Sequence, residues 1–145
     1  MSFPGSGFEA VQPGLKGEVR LVVAKEHTAQ HLGSGGVQVF ATPQMVLLME
    51  RASVAAVDHL LPEGYRTVGA HLDVRHLEPT PIGFEIRASA ELIEVQGRRL
   101  LFRVQVSEGP FDEKGQGGVL VGDGTHQRAI IDVKRFSERV AQKAK

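Results

Sequence analysis

From Pro43 to Leu61 the chain reads Pro-Gln-Met-Val-Leu-Leu-Met-Glu-Arg-Ala-Ser-Val-Ala-Ala-Val-Asp-His-Leu-Leu, rich in strong helix formers and free of glycine. This predicts a long helix over 43–61. Thr42 supplies a hydroxyl to cap the helix, and Pro43 sits in the first turn, where no amide hydrogen is missed. Pro62 and Gly64 stop it. Gln44, Arg51 and Asp58 recur every second turn as a narrow polar stripe. With most other positions apolar, the helix is expected to be buried around most of its circumference.

Most of the remaining pattern has the two-residue period of strands. Leu15–Lys25 is a first strand, with Val19, Leu21 and Val23 on one face. His31–Gly36, containing Gly33-Ser34-Gly35-Gly36, reads as a loop, and Val37–Phe40 as a short extended piece. Four longer strands follow, near 65–78, 83–95, 98–110 and 117–133. In the first of them, Val68, Ala70, Leu72, Val74 and His76 share one face, and Thr67, Gly69, His71, Asp73 and Arg75 the other. The next points Phe84, Ile86, Ala88, Ala90 and Leu92 inward, and the third does so with Leu100, Phe102, Val104 and Val106. Val95-Gln96-Gly97-Arg98 is a tight hairpin. Glu78-Pro79-Thr80-Pro81-Ile82-Gly83 is a turn that cannot continue a sheet. Arg135–Lys143 reads as a short polar helix.

A strand, one buried helix and a four-strand meander predict an α+β fold in which an antiparallel sheet wraps around one long central helix, the hot-dog architecture. Exposed sheet edges in so small a protein are commonly covered by pairing two subunits. A homodimer or higher even oligomer with sites at the subunit boundary is therefore expected. Residues 1–14 are Gly/Pro-rich and read as a loose arm. Residues 15–145 form one domain, since a chain of 145 residues buries roughly two-thirds of its unfolded surface.

Against this apolar background three polar residues stand out. Glu50 lies off the polar stripe of the helix, with Val46, Leu47, Ser53 and Val54 one turn away and no cation placed to neutralise it. An unpaired carboxylate there is costly unless it reaches solvent or finds an arginine elsewhere in the chain. His76 ends the face expected to pack on the helix. Thr42 sits at the helix N-terminus, where free amide hydrogens and partial positive charge suit an oxyanion. An alcohol, a carboxylic acid and an imidazole directed into one hydrophobic region are the parts that acyl transfer or hydrolysis needs.

Composition narrows the chemistry further. The 17 basic and 17 acidic side chains balance, which argues against a nucleic-acid or polyanion binder. With no cysteine, disulfides, thiolate metal sites and a cysteine nucleophile are excluded. No His-Glu-x-x-His or similar ligand spacing occurs, so no metal is expected. No segment approaches the roughly twenty apolar residues of a membrane span, and the N-terminus lacks the pattern of a secretion signal. A cytoplasmic location is the expectation.

In this order and spacing, Ser34-Gly35, Val39-Phe40-Ala41-Thr42-Pro43, Met49-Glu50-Arg51-Ala52, Thr67-Val68-Gly69, Asp73-Val74-Arg75-His76-Leu77, Thr80-Pro81-Ile82-Gly83 and Gly122-Asp123-Gly124-Thr125-His126-Gln127-Arg128 are specific. Over about residues 15–137 the sequence resembles the fluoroacetyl-CoA thioesterase-like family of hot-dog proteins. The resemblance implies hydrolysis of a short or medium acyl-CoA thioester, with coenzyme A as part of the substrate and no separate cofactor. It places the catalytic threonine, glutamate and histidine on Thr42, Glu50 and His76, and the substrate near Gly69, Ser34 and Gly35.

In the roles the resemblance implies, His76 is the general base, Glu50 orients it or acts on water or the acyl group, and Thr42 positions or attacks the thioester. Fluoroacetyl-specific members close a small dry pocket with aromatic side chains in the lid before the helix. This chain has Gly33-Ser34-Gly35-Gly36 there, so fluoroacetyl-CoA is not the expected substrate. Arg75, Arg98, Arg99, Arg103 and Arg128 offer cations for the phosphates of coenzyme A but read as surface charges, while His126 and Arg128 within their motif read as structural. Two other readings use the same residues: hydration of an enoyl thioester, and non-catalytic binding of an acyl or aromatic ligand. The Thr-Pro helix start and the motifs favour hydrolysis over the first, and the intact set of three reactive residues argues against the second.

Overall fold

The computed structural model describes residues 5–145. Its elements are β1 (Lys16–Val22), α1 (Ala29–Leu32), α2 (Thr42–Val57), β2 (Tyr65–His76), β3 (Glu85–Gln96), β4 (Arg99–Glu108), β5 (Val119–Asp132) and α3 (Val133–Lys143). All five strands form one antiparallel sheet in the order β1-β3-β4-β5-β2. Only β3, β4 and β5 form a meander. The expected four-strand meander is corrected, because β2 pairs with β5 and not with β3. Residues 77–84, with Pro79 and Pro81, cannot make a tight hairpin and carry the chain from one edge of the sheet back towards the other. On the way Pro81 bridges to Val39, and the Thr80 carbonyl accepts from the Phe40 amide.

Helix α2 lies chiefly across β1 and β3. Its buried positions are Met45, Leu48, Met49, Ala52, Ser53, Ala56 and Val57, a single stripe of helical period. Burial around most of the circumference is therefore not observed. Val46, Glu50 and Val54 are half-buried and Leu47 is exposed. The helix comes very close to β1: a Cβ on Gly17 would strike the backbone of Ala52 and Ala56, so glycine is required there. Met45, Met49, Phe102, Leu92, Ile86 and Leu100 fill the space between helix and sheet.

Several expectations shift by local irregularities. β2 carries a bulge between Gly69 and His71, and a bulge reverses the alternation. Before it Thr67 is buried, opposite to the expected phase. After it Val74 and His76 face inward as expected. A second bulge between Leu92 and Glu94 brings Val95 into the core. Phe84, expected inward, precedes β3 and is exposed. Of the arm expected over 1–14, residues 1–4 lie outside the described residues. Residues 5–14 are tied down, since Phe8 and Val11 are buried and Phe8 packs edge-on against Tyr65 at 5.1 Å.

Candidate active site

Helix α2 begins at Thr42, but the capping position is Ala41, and no side chain accepts from the first-turn amides. The expected cap is corrected: the Thr42 hydroxyl is turned away from its own helix and meets Nδ1 of His76 at 2.7 Å. A threonine diverted from capping leaves helix donors open, and such a cap is typically worth about 1 kcal/mol. The hydroxyl therefore has a partner of another kind.

His76 is half-buried at the end of β2, with its ring edge-on to Phe40 at 6.1 Å. Burial pushes its pKa below the ordinary imidazole value, and the backbone of Glu78 opposes this only in part. The ring is thus held neutral at neutral pH, with a lone pair available to take a proton. Its Nε2 is enclosed and makes no hydrogen bond. Thr42 and His76 open onto a cavity of about 290 Å³ that is also lined by Ala29, Ser34, Val39, Phe40, Leu77 and Pro79. Of the two loop residues expected at the substrate, Ser34 lines this cavity. Gly35 is exposed beside Ala29, which a Cβ would meet at an ordinary 3.6 Å.

Glu50 is elsewhere. It lies two turns further along α2, roughly 12 Å down the axis, and faces β2 and β5. It is not unpaired: its Oε2 is 3.5 Å from Nη1 of Arg128, whose side chain is 6% exposed against 37% for Glu50. The nearest cation comes from a strand distant in sequence, which helical spacing does not reveal. Gly69, the third residue expected near the substrate, sits beside this pair. A Cβ there would be 2.9 Å from Glu50 Oε2, 3.4 Å from His126 Cε1 and 3.5 Å from Arg128 Nη1. One copy of the chain therefore joins Thr42 to His76 and Gly69 to Glu50, but not the two halves to each other.

Arg128 is expected from the sequence to be a surface charge or a structural residue, and the structure corrects the first. Arg128 is buried, donating from Nε to Thr67 Oγ1 at 2.8 Å and from Nη2 to the Thr67 carbonyl at 2.9 Å. Thr67 in turn donates to Asp58 at 2.6 Å, so Asp58 points inward and is not part of a solvent stripe. Burial lowers the pKa of Arg128, opposed by Asp58 and Glu50. The available signal was the phase of β5, where His126, Arg128 and Ile130 alternate on the buried face. The other arginines are external. Arg75 forks onto Asp123 at 3.0 Å, and Arg98 lies over the rings of Phe8 and Tyr65. Among the described residues, no three His, Asp or Glu side chains converge as a metal site, and no helix is long and apolar enough to cross a membrane.

The profile of the family described as fluoroacetyl-CoA-specific thioesterase matches residues 23–134. The chain belongs to this family. A fluoroacetyl-CoA thioesterase of Streptantibioticus cattleyicolor is 42% identical over 106 residues, 73% of this chain and 70% of that protein. A structure of a threonine-to-serine mutant of the fluoroacetyl-CoA enzyme with acetyl-CoA is similar at a TM-score of 0.80 and 34% identity, covering 93% of this chain and 100% of that one. A thioesterase superfamily member from Thermus thermophilus is similar at a TM-score of 0.78 and 26% identity, over 92% and 93% of the two chains. The hot-dog fold expected from the pattern of strands around one helix is the fold of these family structures.

Proposed function

We propose that the protein hydrolyses short or medium acyl-CoA thioesters to the free acid and coenzyme A. The observation that carries this reading is the 2.7 Å contact between Thr42 Oγ1 and His76 Nδ1 at an uncapped helix N-terminus. Neutral His76 draws a proton from the attacking hydroxyl, whether that of Thr42 or of a water held beside it. The first-turn amides of α2 face the oxygen on which charge develops. The imidazolium then returns its proton to the departing thiolate of coenzyme A. On the route through Thr42, a water deprotonated by the same imidazole next attacks the acyl-threonine ester, releasing the free acid as the threonine oxygen takes the proton back. Nε2 of His76 has no hydrogen-bond partner within one chain, and Glu50 either orients the imidazole or acts on the water or the acyl group.

Glu50 reaches that chemistry only from a second copy of the chain. β2 is an edge strand of twelve residues, and beside it Leu72, Leu47 and the flank formed by Val46 and Val54 lie partly exposed. A two-fold axis that pairs β2 with β2 also sets the two α2 helices side by side and antiparallel. With that axis passing near Val46, midway between Thr42 and Glu50, the N-terminus of one helix lies against Glu50 of the other. We assign the site to two subunits of a homodimer or higher even oligomer. A coenzyme A thioester as substrate supports a cytoplasmic location.

This arrangement predicts complementation. Glu50→Gln and His76→Ala are each expected to be inactive alone. When the two are unfolded and refolded together, mixed dimers carry one intact site, and about a quarter of wild-type activity returns for random pairing. No recovery, or a monomeric mass by light scattering, excludes the shared site.

Of the segment before α2, Ser34, Val39 and Phe40 line the cavity, and the Gly33-Ser34-Gly35-Gly36 stretch carries no aromatic side chain that could close it as a lid. That supports an acyl group other than fluoroacetyl. A screen of acyl-CoA chain lengths, reading released thiol, tests the activity itself. Turnover is expected with one or more short or medium acyl groups, without preference for fluoroacetyl-CoA. Absence of thiol release across the series overturns the assignment and favours a binding protein.

A further inference from the structure

We propose that Arg128 is a positioning residue that sets the carboxylate of Glu50 for the reaction, an inference that rests on the catalytic reading of Glu50. The geometry is asymmetric. The guanidinium is fixed before Glu50 is reached: Nε and Nη2 donate to the side chain and the carbonyl of Thr67 at 2.8 and 2.9 Å, and Nη1 donates to His126 Nε2 at 3.1 Å. Glu50 Oε2 is the fourth partner and the longest, at 3.5 Å, and it alone is carried by a substantially exposed side chain. Arg128 does not depend on Glu50 for its orientation. Glu50 finds there a fixed donor.

The supports of this donor are themselves determined. The His71 carbonyl, which can only accept, meets His126 Nδ1 at 2.8 Å. His126 therefore carries its proton on Nδ1 and presents a bare Nε2 to the arginine. Burial pushes the His126 pKa down, and Arg128 adds to this, against the smaller opposing effects of the His71 carbonyl and Glu50, so that acceptor stays neutral. Thr67 gives its proton to Asp58 and keeps lone pairs for Arg128 Nε. Gly69, opposite Arg128 in the β2–β5 register, leaves the opening through which Glu50 makes its contact. A buried cation with this many dedicated partners is a costly way to stabilise a fold. It is an effective way to aim a carboxylate.

The test is steady-state kinetics of Arg128→Lys, Arg128→Met, Glu50→Gln and the double variant Arg128→Met/Glu50→Gln, with the acyl-CoA turned over fastest in the chain-length screen. Arg128→Lys keeps the charge but not the fork, and kcat is expected to fall at least tenfold with KM little changed. Arg128→Met is expected to lose more, and the double variant no more than Glu50→Gln alone, because both remove one function. Should Arg128→Met not fold, Arg128→Lys and its combination with Glu50→Gln decide by the same criteria. Wild-type kcat in folded Arg128→Lys, or losses that multiply in the double variant, overturns the positioning role. Wild-type kcat in Glu50→Gln is a different failure, that of the catalytic reading of Glu50.

Discussion

His76→Ala is expected to lower kcat/KM by roughly 10²- to 10⁴-fold, the range for loss of a general base, while the protein remains folded. The ring is only half-buried and its hydrogen-bonding side-chain partner, Thr42, is exposed, so removing the ring strands no buried side chain. His59→Ala, on the exposed turn after α2, is the control and should be silent. The wild-type pH profile gives an independent reading. Burial disfavours the imidazolium, so the folded pKa is depressed and the neutral base persists to lower pH. The acid limb of kcat/KM should then inflect below the ordinary histidine value of 6.5. An inflection above that value, or a loss in His76→Ala no larger than in the control, removes His76 from the role of base.

Glu50→Gln is expected to abolish most activity, again by about two orders of magnitude or more, with a melting temperature close to wild type. Taken alone, a buried ion pair that loses one partner is strongly destabilising. Here the remaining partner keeps its other contacts. Arg128 retains both bonds to Thr67, the bond to His126 and the nearby charge of Asp58. The amide of glutamine can also still accept at the 3.5 Å position, and Glu50 is more than a third exposed. A thermal melt beside a thiol-release assay distinguishes the outcomes. A clear fall in melting temperature with activity preserved would show Glu50 to be a structural partner of Arg128 and nothing more.

The two experiments address the two halves of the proposed site, which lie apart within one chain. Thr42 and His76 meet where the start of α2 crosses the end of β2. Glu50 and Gly69 meet further along both elements, beside the bulge that turns Thr67 and Arg128 towards each other. Val46 and Val54 flank Glu50 on α2, and β2 is an edge strand, so in the proposed dimer the same pairing would cover this flank and complete the site.

Local pattern determined the helix, the strands, the Gln96–Arg99 hairpin and the inward faces of β3 and β4, because side-chain periodicity and turn residues act within a few positions of one another. It also singled out Thr42, Glu50 and His76, since a polar group in an apolar stripe is visible without knowing what faces it. What faces each was decided only by tertiary structure. The partner of Glu50 is Arg128, on a strand far along the chain, and no helical spacing encodes that approach. Thr42 had a local role open to it as a cap, yet took the imidazole of His76, which only the crossing of α2 and β2 brings within reach. A single extra residue at Ala70 reversed the phase of β2, so Thr67 faced the core although strict alternation put it outside. The pairing of β2 with β5 likewise depends on which edge the chain reaches after Pro79 and Pro81, a choice made by the closed packing of sheet on helix and invisible to any local window.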